Sequence, residues 1–155
     1  MISVKNFEGV SLFMSNERIY AGEELPVGTL AGVDENGKLV KADSATAIPA
    51  VTVITTGSGR KWGEEYKFNR ESVLRTGDSA EVIKVATLSG VPETDIAKVG
   101  WKRGATVYLG TGGKVTLTKP TTSAHIAQPV GVLGDPVRRE VLLFLLNGFE
   151  TVAGE

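Results

Sequence analysis

The chain has 155 residues, 41% of them hydrophobic, and its 17 basic and 18 acidic side chains leave a net charge of −1. That is about one domain of chain with enough apolar content for a core, and the balanced charge argues against a nucleic-acid binder, which carries a basic surplus. The absence of cysteine excludes disulfides, thiolate nucleophiles and Cys-bound zinc, and the longest apolar run, Val141-Leu-Leu-Phe-Leu-Leu146, is far shorter than the roughly 20 residues of a membrane helix.

The first residues lack the basic-then-apolar pattern of a signal peptide, so a soluble, non-secreted chain is expected. Residues 1–20 are apolar or aromatic at Phe7, Val10, Leu12, Phe13, Ile19 and Tyr20, with no turn signal before Ala21-Gly22. We read them as an extended N-terminal arm, a plain edge strand being the alternative. Residues 29–33 and 38–42 then form a hairpin around Asn36-Gly37, a pair suited to the φ > 0 positions of a tight turn. Ala50-Val-Thr-Val-Ile-Thr55 is rich in β-branched residues and reads as a strand. Residues 57–75 are charged around Trp62, Tyr66 and Phe68 and read as an excursion from the main body, with 69–75 a turn of helix or an edge strand. Residues 80–86 alternate after the turn at Thr76-Gly-Asp78. Residues 92–99 have Pro in the first turn, early acids and Gly100 as a stop, which predicts a short helix. Two further hairpins follow, residues 106–118 around Gly110-Thr-Gly-Gly113 and residues 129–146 around Gly134-Asp-Pro136. Short strands punctuated by 19 glycines predict a mainly β chain: a small β-barrel or sandwich with one or two short helices and the arm. The expected organisation is an arm over 1–20, a β-rich domain over 21–146 and a C-terminal tail over 147–155.

An internal echo organises the domain. Gly28-Thr-Leu30, Asn36-Gly-Lys-Leu39 and Ile48-Pro-Ala-Val51 recur as Gly104-Ala-Thr106, Gly112-Gly-Lys-Val115 and Gln128-Pro-Val-Gly131, at offsets of 76 and then 80 residues. Two repeats are too few for a solenoid and suit one pseudo-symmetric barrel.

Catalytic patterns are tested and fail. Gly110-Thr-Gly-Gly-Lys-Val-Thr116 has neither the first glycine nor the hydroxyl of a phosphate loop and leads into a strand rather than a helix. Gly57-Ser-Gly-Arg-Lys61 fails likewise. Asp34-Glu-Asn-Gly-Lys38 resembles part of a calcium loop, but Gly32 falls at the first ligand position and Asp43 at the last. His125 is the single histidine, too few for a His-ligated metal. Glu23-Glu24 and Glu64-Glu65 read as solvent-facing charge, since neighbours in an extended segment point to opposite faces. No catalytic residue, cofactor or metal site is expected. Lys98, Lys102 and Arg103 around Trp101, together with Arg138 and Arg139, are diluted by Glu93, Asp95, Asp135 and Glu140. Protein-interface use is the better reading of these residues, because Arg and Trp are favoured anchors.

Residues 21–30, 34–42, 104–109 with 113–116, and 129–133 followed by 141–145 together resemble the capsid decoration (cement) proteins of tailed phages. Their motifs are turn-and-strand grammar, not a catalytic signature. Low Asn and Gln content, with Gln128 the single glutamine and Glu far outnumbering Asp, is a thermophile-type signal that sets the likeness nearest to head proteins of thermophilic phages. The resemblance implies a β-rich homotrimer on the outer surface of the mature virion head at local three-fold positions, binding the major capsid protein and no nucleic acid or membrane. It also implies that the arm reaches the capsid, through Phe7, Leu12, Phe13, Arg18 and Tyr20. Trp101, Arg138, Arg139 and Phe144 are then candidates for the trimer interface. Short family members lack the 57–75 excursion. A β-barrel ligand-binding module or small enzyme with Trp62, Tyr66 and Trp101 lining a pocket, or a phage tail or fibre component, are the alternatives.

Overall fold

The computed structural model describes residues 2–9, 18–62, 65–70, 72–145 and 148–154, of which 6–9, 18, 59–62 and 65–70 are described by their backbone. Among these residues there are strands and no helix: β1 Ser3–Gly9, β2 Arg18–Tyr20, β3 Leu25–Pro26, β4 Leu30–Val33, β5 Leu39–Lys41, β6 Thr52–Val53, β7 Gly59–Trp62, β8 Glu65–Arg70 and β9 Val73–Leu74. The second half holds β10 Ser79–Glu81, β11 Ile83–Ser89, β12 Thr106–Leu109, β13 Val115–Thr116, β14 Ile126–Ala127, β15 Pro129–Leu133, β16 Val141–Phe144 and β17 Glu150–Thr151.

The largest sheet has the order β1-β11-β16-β15-β12-β13, antiparallel throughout, and curls into half a barrel. Its alternation follows the two-residue side-chain period of a strand. One cross-sheet row, Val4, Leu88, Val141 and Leu133, points to the core, whereas the adjacent row, Lys5, Thr87, Leu142, Val132 and Thr106, lies on the other face. The concave side is filled by the three-stranded sheet β5-β4-β6, whose Leu30 and Val53 join Ile83, Leu88, Val107, Leu109, Leu133 and Leu143 in the main core.

Two seams stitch the sheets together. At one, Ile83 N donates to Thr52 Oγ1 at 2.7 Å. At the other, Leu30 N donates to Gly113 O at 2.9 Å and Gly113 N to Ala42 O at 2.6 Å. Between them Gln128, wholly buried, grips the backbone of Ala50: its Nε2 donates to Ala50 O at 2.9 Å and its Oε1 accepts from Ala50 N at 2.7 Å. A smaller core, Ala21, Leu25, Ala31, Leu39, Ile54 and Leu74, sits under β2, β3 and β9.

The sequence echo is a structural repeat. The pairs Gly32↔Val40 and Val33↔Leu39 recur 76 residues on as Tyr108↔Thr116 and Leu109↔Val115. The third strand follows at an offset of 79, one less than the 80 of the Pro49 and Pro129 match, with Leu30↔Val53 and Ala31↔Thr52 answered by Thr106↔Val132 and Val107↔Gly131. Hydrogen bonds outside the ladders also recur. Gly28 N to Ile54 O is matched by Gly104 N to Leu133 O, and Thr29 N to Pro26 O by Ala105 N to Lys102 O. Each repeat is a central strand flanked by its hairpin partner and a later return strand: β5-β4-β6 and β13-β12-β15. Of the Asn36-Gly37 pair, Gly37 alone has positive φ, at 76°, and its counterpart Gly113 has 75°.

The structure corrects several expectations. Residues 92–99 form no helix: Asp95 N and Ile96 N both bond to Pro92 O, and the chain then turns away. The Ile96 carbonyl accepts from the Arg139 guanidinium where the chain turns away, and Gly100 is left-handed with φ 87°. Of the two readings of 69–75, the strand one holds where the range is described: β8 ends at Arg70 and β9 is Val73–Leu74. Much of the expected arm is paired within the chain, β1 along β11 and β2 along β10. Gly9 meets Ile83 and Arg18 meets Glu81, so the N-terminal segment runs along one continuous stretch of partner on both sides of residues 10–17. In the expected tail, β17 pairs with β14. The excursion at 57–75 is the hairpin β7-β8, closed at its base where Ser58 N donates to Val73 O at 2.9 Å and Arg75 N to Ser58 Oγ at 2.8 Å.

Candidate functional site

The residues singled out for chemistry are occupied by the fold. Asp34 Oδ1 accepts from Asn36 N and Lys38 N, each at 2.9 Å, so the calcium-like loop is a turn closed by its own carboxylate. His125 serves through its backbone, its N–H donating to Thr122 O at 3.1 Å and its carbonyl accepting from Val152 N at 2.8 Å. Gly110 and Gly113 form a docking turn, and among the described residues no helix N-terminus faces it. Glu23 is half-buried and Glu24 exposed, while Glu64 lies outside the described residues. Among the described residues no group of three His, Asp or Glu side chains is placed to hold a metal ion.

The four expected interface residues separate into two pairs. Trp101 and Arg139 are turned inward: Trp101 Nε1 donates to Gly134 O at 3.1 Å, and the Arg139 guanidinium stacks 4.9 Å from the Trp101 ring centroid. Arg139 also donates through Nε to Val91 O and through Nη2 to Ile96 O. Together they tie the 91–103 loop to the turn before β16, a use of Arg that exploits its planar, multi-donor fork. Arg138 and Phe144 remain exposed. The arm candidates are dispersed as well. Phe7 lies on β1 and Arg18 on β2, and Leu12 and Phe13 fall outside the described residues. Tyr20 is exposed on β2, with Lys38 Nζ 5.5 Å over its ring. Of the aromatics imagined around a pocket, Trp62 and Tyr66 lie on the β7-β8 hairpin and Trp101 packs on Arg139.

The structure adds an apolar strip on the outer face of the half-barrel. Leu142 and Phe144 on β16 are 37% and 45% exposed. Half-buried Val85 pairs with Phe144 and half-buried Val132 pairs with Leu142. The pair lies at the middle of the sheet, away from either edge, and is the apolar surface that a docking role would use. Leu142 belongs to a run that is apolar at all six positions, so which parity faced outward was fixed only by where β16 sits in the sheet. A second exposed group, Val99 at 92% and Val137 at 90%, caps the two loops that Arg139 joins.

Fold and surface together define, over the described residues, an all-β body in which two three-stranded repeats are joined by further strands and present faces and turns. No protein-family model, curated protein or solved structure matches this chain.

Proposed function

We propose that this chain is a structural virion protein: a homotrimeric decoration protein that sits on the outer surface of a tailed-phage head, at local three-fold positions, and braces adjoining major capsid subunits against the pressure of packaged DNA. The observation that carries the reading is the exposed apolar strip of Leu142 and Phe144 on a sheet stiffened by two seams. A cement protein acts by covering surface, and needs a rigid framework with a ready apolar face. The resemblance of its hairpin and turn motifs to those of phage cement proteins supplies the partner class. Many identical sites and three copies per trimer then convert a modest contact into tight attachment.

The test is the solution mass of the full chain by light scattering on a sizing column, before and after heating, followed by co-sedimentation with expanded heads that lack the protein. A mass of three chains that survives heating, with saturable co-sedimentation, is expected. A single-chain mass with no co-sedimentation would overturn the assignment.

A further inference from the structure

The two repeats meet through a contact that is used only once. The turn of the second repeat, residues 110–114, lies against the flank of the first. There Leu30 N donates to Gly113 O, Gly113 N to Ala42 O and Ser44 N to Gly110 O, at 2.9, 2.6 and 2.9 Å. Under the 76-residue correspondence, the reciprocal contact would seat residues 34–38 against Thr106, Thr118 and Pro120. The chain does not make it. Glu35, Asn36, Gly37 and Lys38 are exposed, a β-carbon on Gly37 would find nothing within 4 Å, and Thr106 and Thr118 are exposed too. The repeats are therefore related head to tail and not by a two-fold axis. The molecule carries one unused turn and one unused flank.

A head-to-tail contact propagates from copy to copy and closes into a ring when its rotation permits. The charges fit such a step. The docked turn has Gly110 and Thr111 where the free turn has Asp34 and Glu35, and the occupied flank has Asp43 where the free flank has Lys119. An acidic turn thus answers a basic flank; nearby Lys102 adds to that sign, whereas Arg103 is paired with Asp135 at 3.7 Å. Lys119 lies 3.8 Å from Glu150 in an exposed pair, which contributes little and is readily exchanged. Pro120 lacks the amide that Ser44 supplies, so the amide of Thr106 and the carbonyl of Thr118 are the backbone counterparts that remain.

We propose that the turn at residues 34–38 of one copy docks on the Thr106, Thr118 and Lys119 flank of a second copy, so that three copies close a ring of six repeats. The number of copies rests on the trimeric reading above; the contact itself rests on the repeat geometry.

Two variants test it, one altered in the turn (Glu35→Arg with Asn36→Arg) and one in the flank (Thr106→Arg with Thr118→Arg), all at exposed positions. The full chain is expected at the mass of three chains and each variant alone at one, with unchanged circular dichroism. An equimolar mixture is expected at two chains, because one intact turn meets one intact flank and both outer ends are blocked. If either double variant fails to fold, the single changes Asn36→Arg and Thr118→Arg replace it. Variants that keep the three-chain mass would overturn this contact and leave the decoration reading standing. A mixture that stays at one chain would also overturn it, since only a head-to-tail contact is rescued by mixing. A full chain of one-chain mass would remove both.

Discussion

Single residues carry the join between the repeats. Gln128 replaces a strand: a buried amide side chain supplies both the donor and the acceptor that Ala50 would otherwise find in a neighbouring backbone. Leaving such groups unpaired costs roughly 1–3 kcal/mol each. Gly37 and Gly113 form a natural control for the docking turn, since they share a left-handed φ but not their surroundings. At Gly37 a β-carbon meets open space, whereas at Gly113 it would sit 2.7 Å from Leu30 O and against the Thr29 methyl. Gly37→Ala carries the left-handed penalty alone, about 1–2 kcal/mol. Gly113→Ala adds an overpacking cost of roughly 1–3 kcal/mol and threatens the two hydrogen bonds of the seam. Thermal melts should show the Gly113 variant losing at least twice as many degrees as the Gly37 variant. Equal losses would mean that the seam contributes no stability.

At the scale of elements, the N-terminal strands belong to the body. β1 is an edge of the six-stranded sheet, Ile2 and Val4 pack against the main core, and Ile19 packs against the smaller one. Full burial of such side chains stabilises by about 1.5–3 kcal/mol each. Removing residues 1–20 is therefore expected to cost several kcal/mol, a large part of the ~5–15 kcal/mol that holds a domain folded. Circular dichroism should show the truncated chain unfolded, or melting more than about 10 °C lower, for which a change of roughly 3–5 kcal/mol suffices at this size. An unchanged melt would return the segment to the status of a free arm.

The same elements show what was legible in the sequence. The three hairpins were, because Asn36-Gly37, Gly110-Thr-Gly-Gly113 and Gly134-Asp-Pro136 punctuate alternating runs. The repeat was legible too, because matching turns demand matching glycines at Gly28/Gly104 and Gly37/Gly113. The role of residues 3–9 was not, since their partner β11 is about 80 residues away and no local signal encodes a long-range pairing. The helix at 92–99 had its start and stop signals, but after one turn closed on Pro92 O the chain leaves the helical path and is held there by Arg139 bonding to the Val91 and Ile96 carbonyls, a tertiary override of local propensity. The inward turn of Trp101 and Arg139 was hidden for the same reason: an Arg beside an aromatic reads alike whether it faces a partner or its own loop.

At the scale of the whole molecule, two surfaces divide the work under the proposed function. The turn and flank would join copies, with Thr106 at the margin of the outer face, which leaves the Leu142 and Phe144 strip of that face to meet the capsid lattice. Phe144 distinguishes a face that binds from one that merely stabilises. It is nearly half exposed and pairs with Val85 across the sheet, a cross-strand contact worth roughly 0.2–1 kcal/mol. With the part of its ring that is buried counted as well, Phe144→Ser should therefore lower stability by about 1–2 kcal/mol and leave the mass of the assembly unchanged. At an interface, an aromatic anchor of this kind is commonly worth 2 kcal/mol or more, and a trimer presents it three times, so the loss multiplies through avidity. Co-sedimentation with undecorated heads should then fall below detection at concentrations that saturate the unmodified protein. If the variant instead falls to single chains, Phe144 lies in the trimer interface and the capsid-facing surface must be sought elsewhere, first at the Val99 and Val137 loops. Unchanged mass together with unchanged co-sedimentation would remove the outer face from the function altogether.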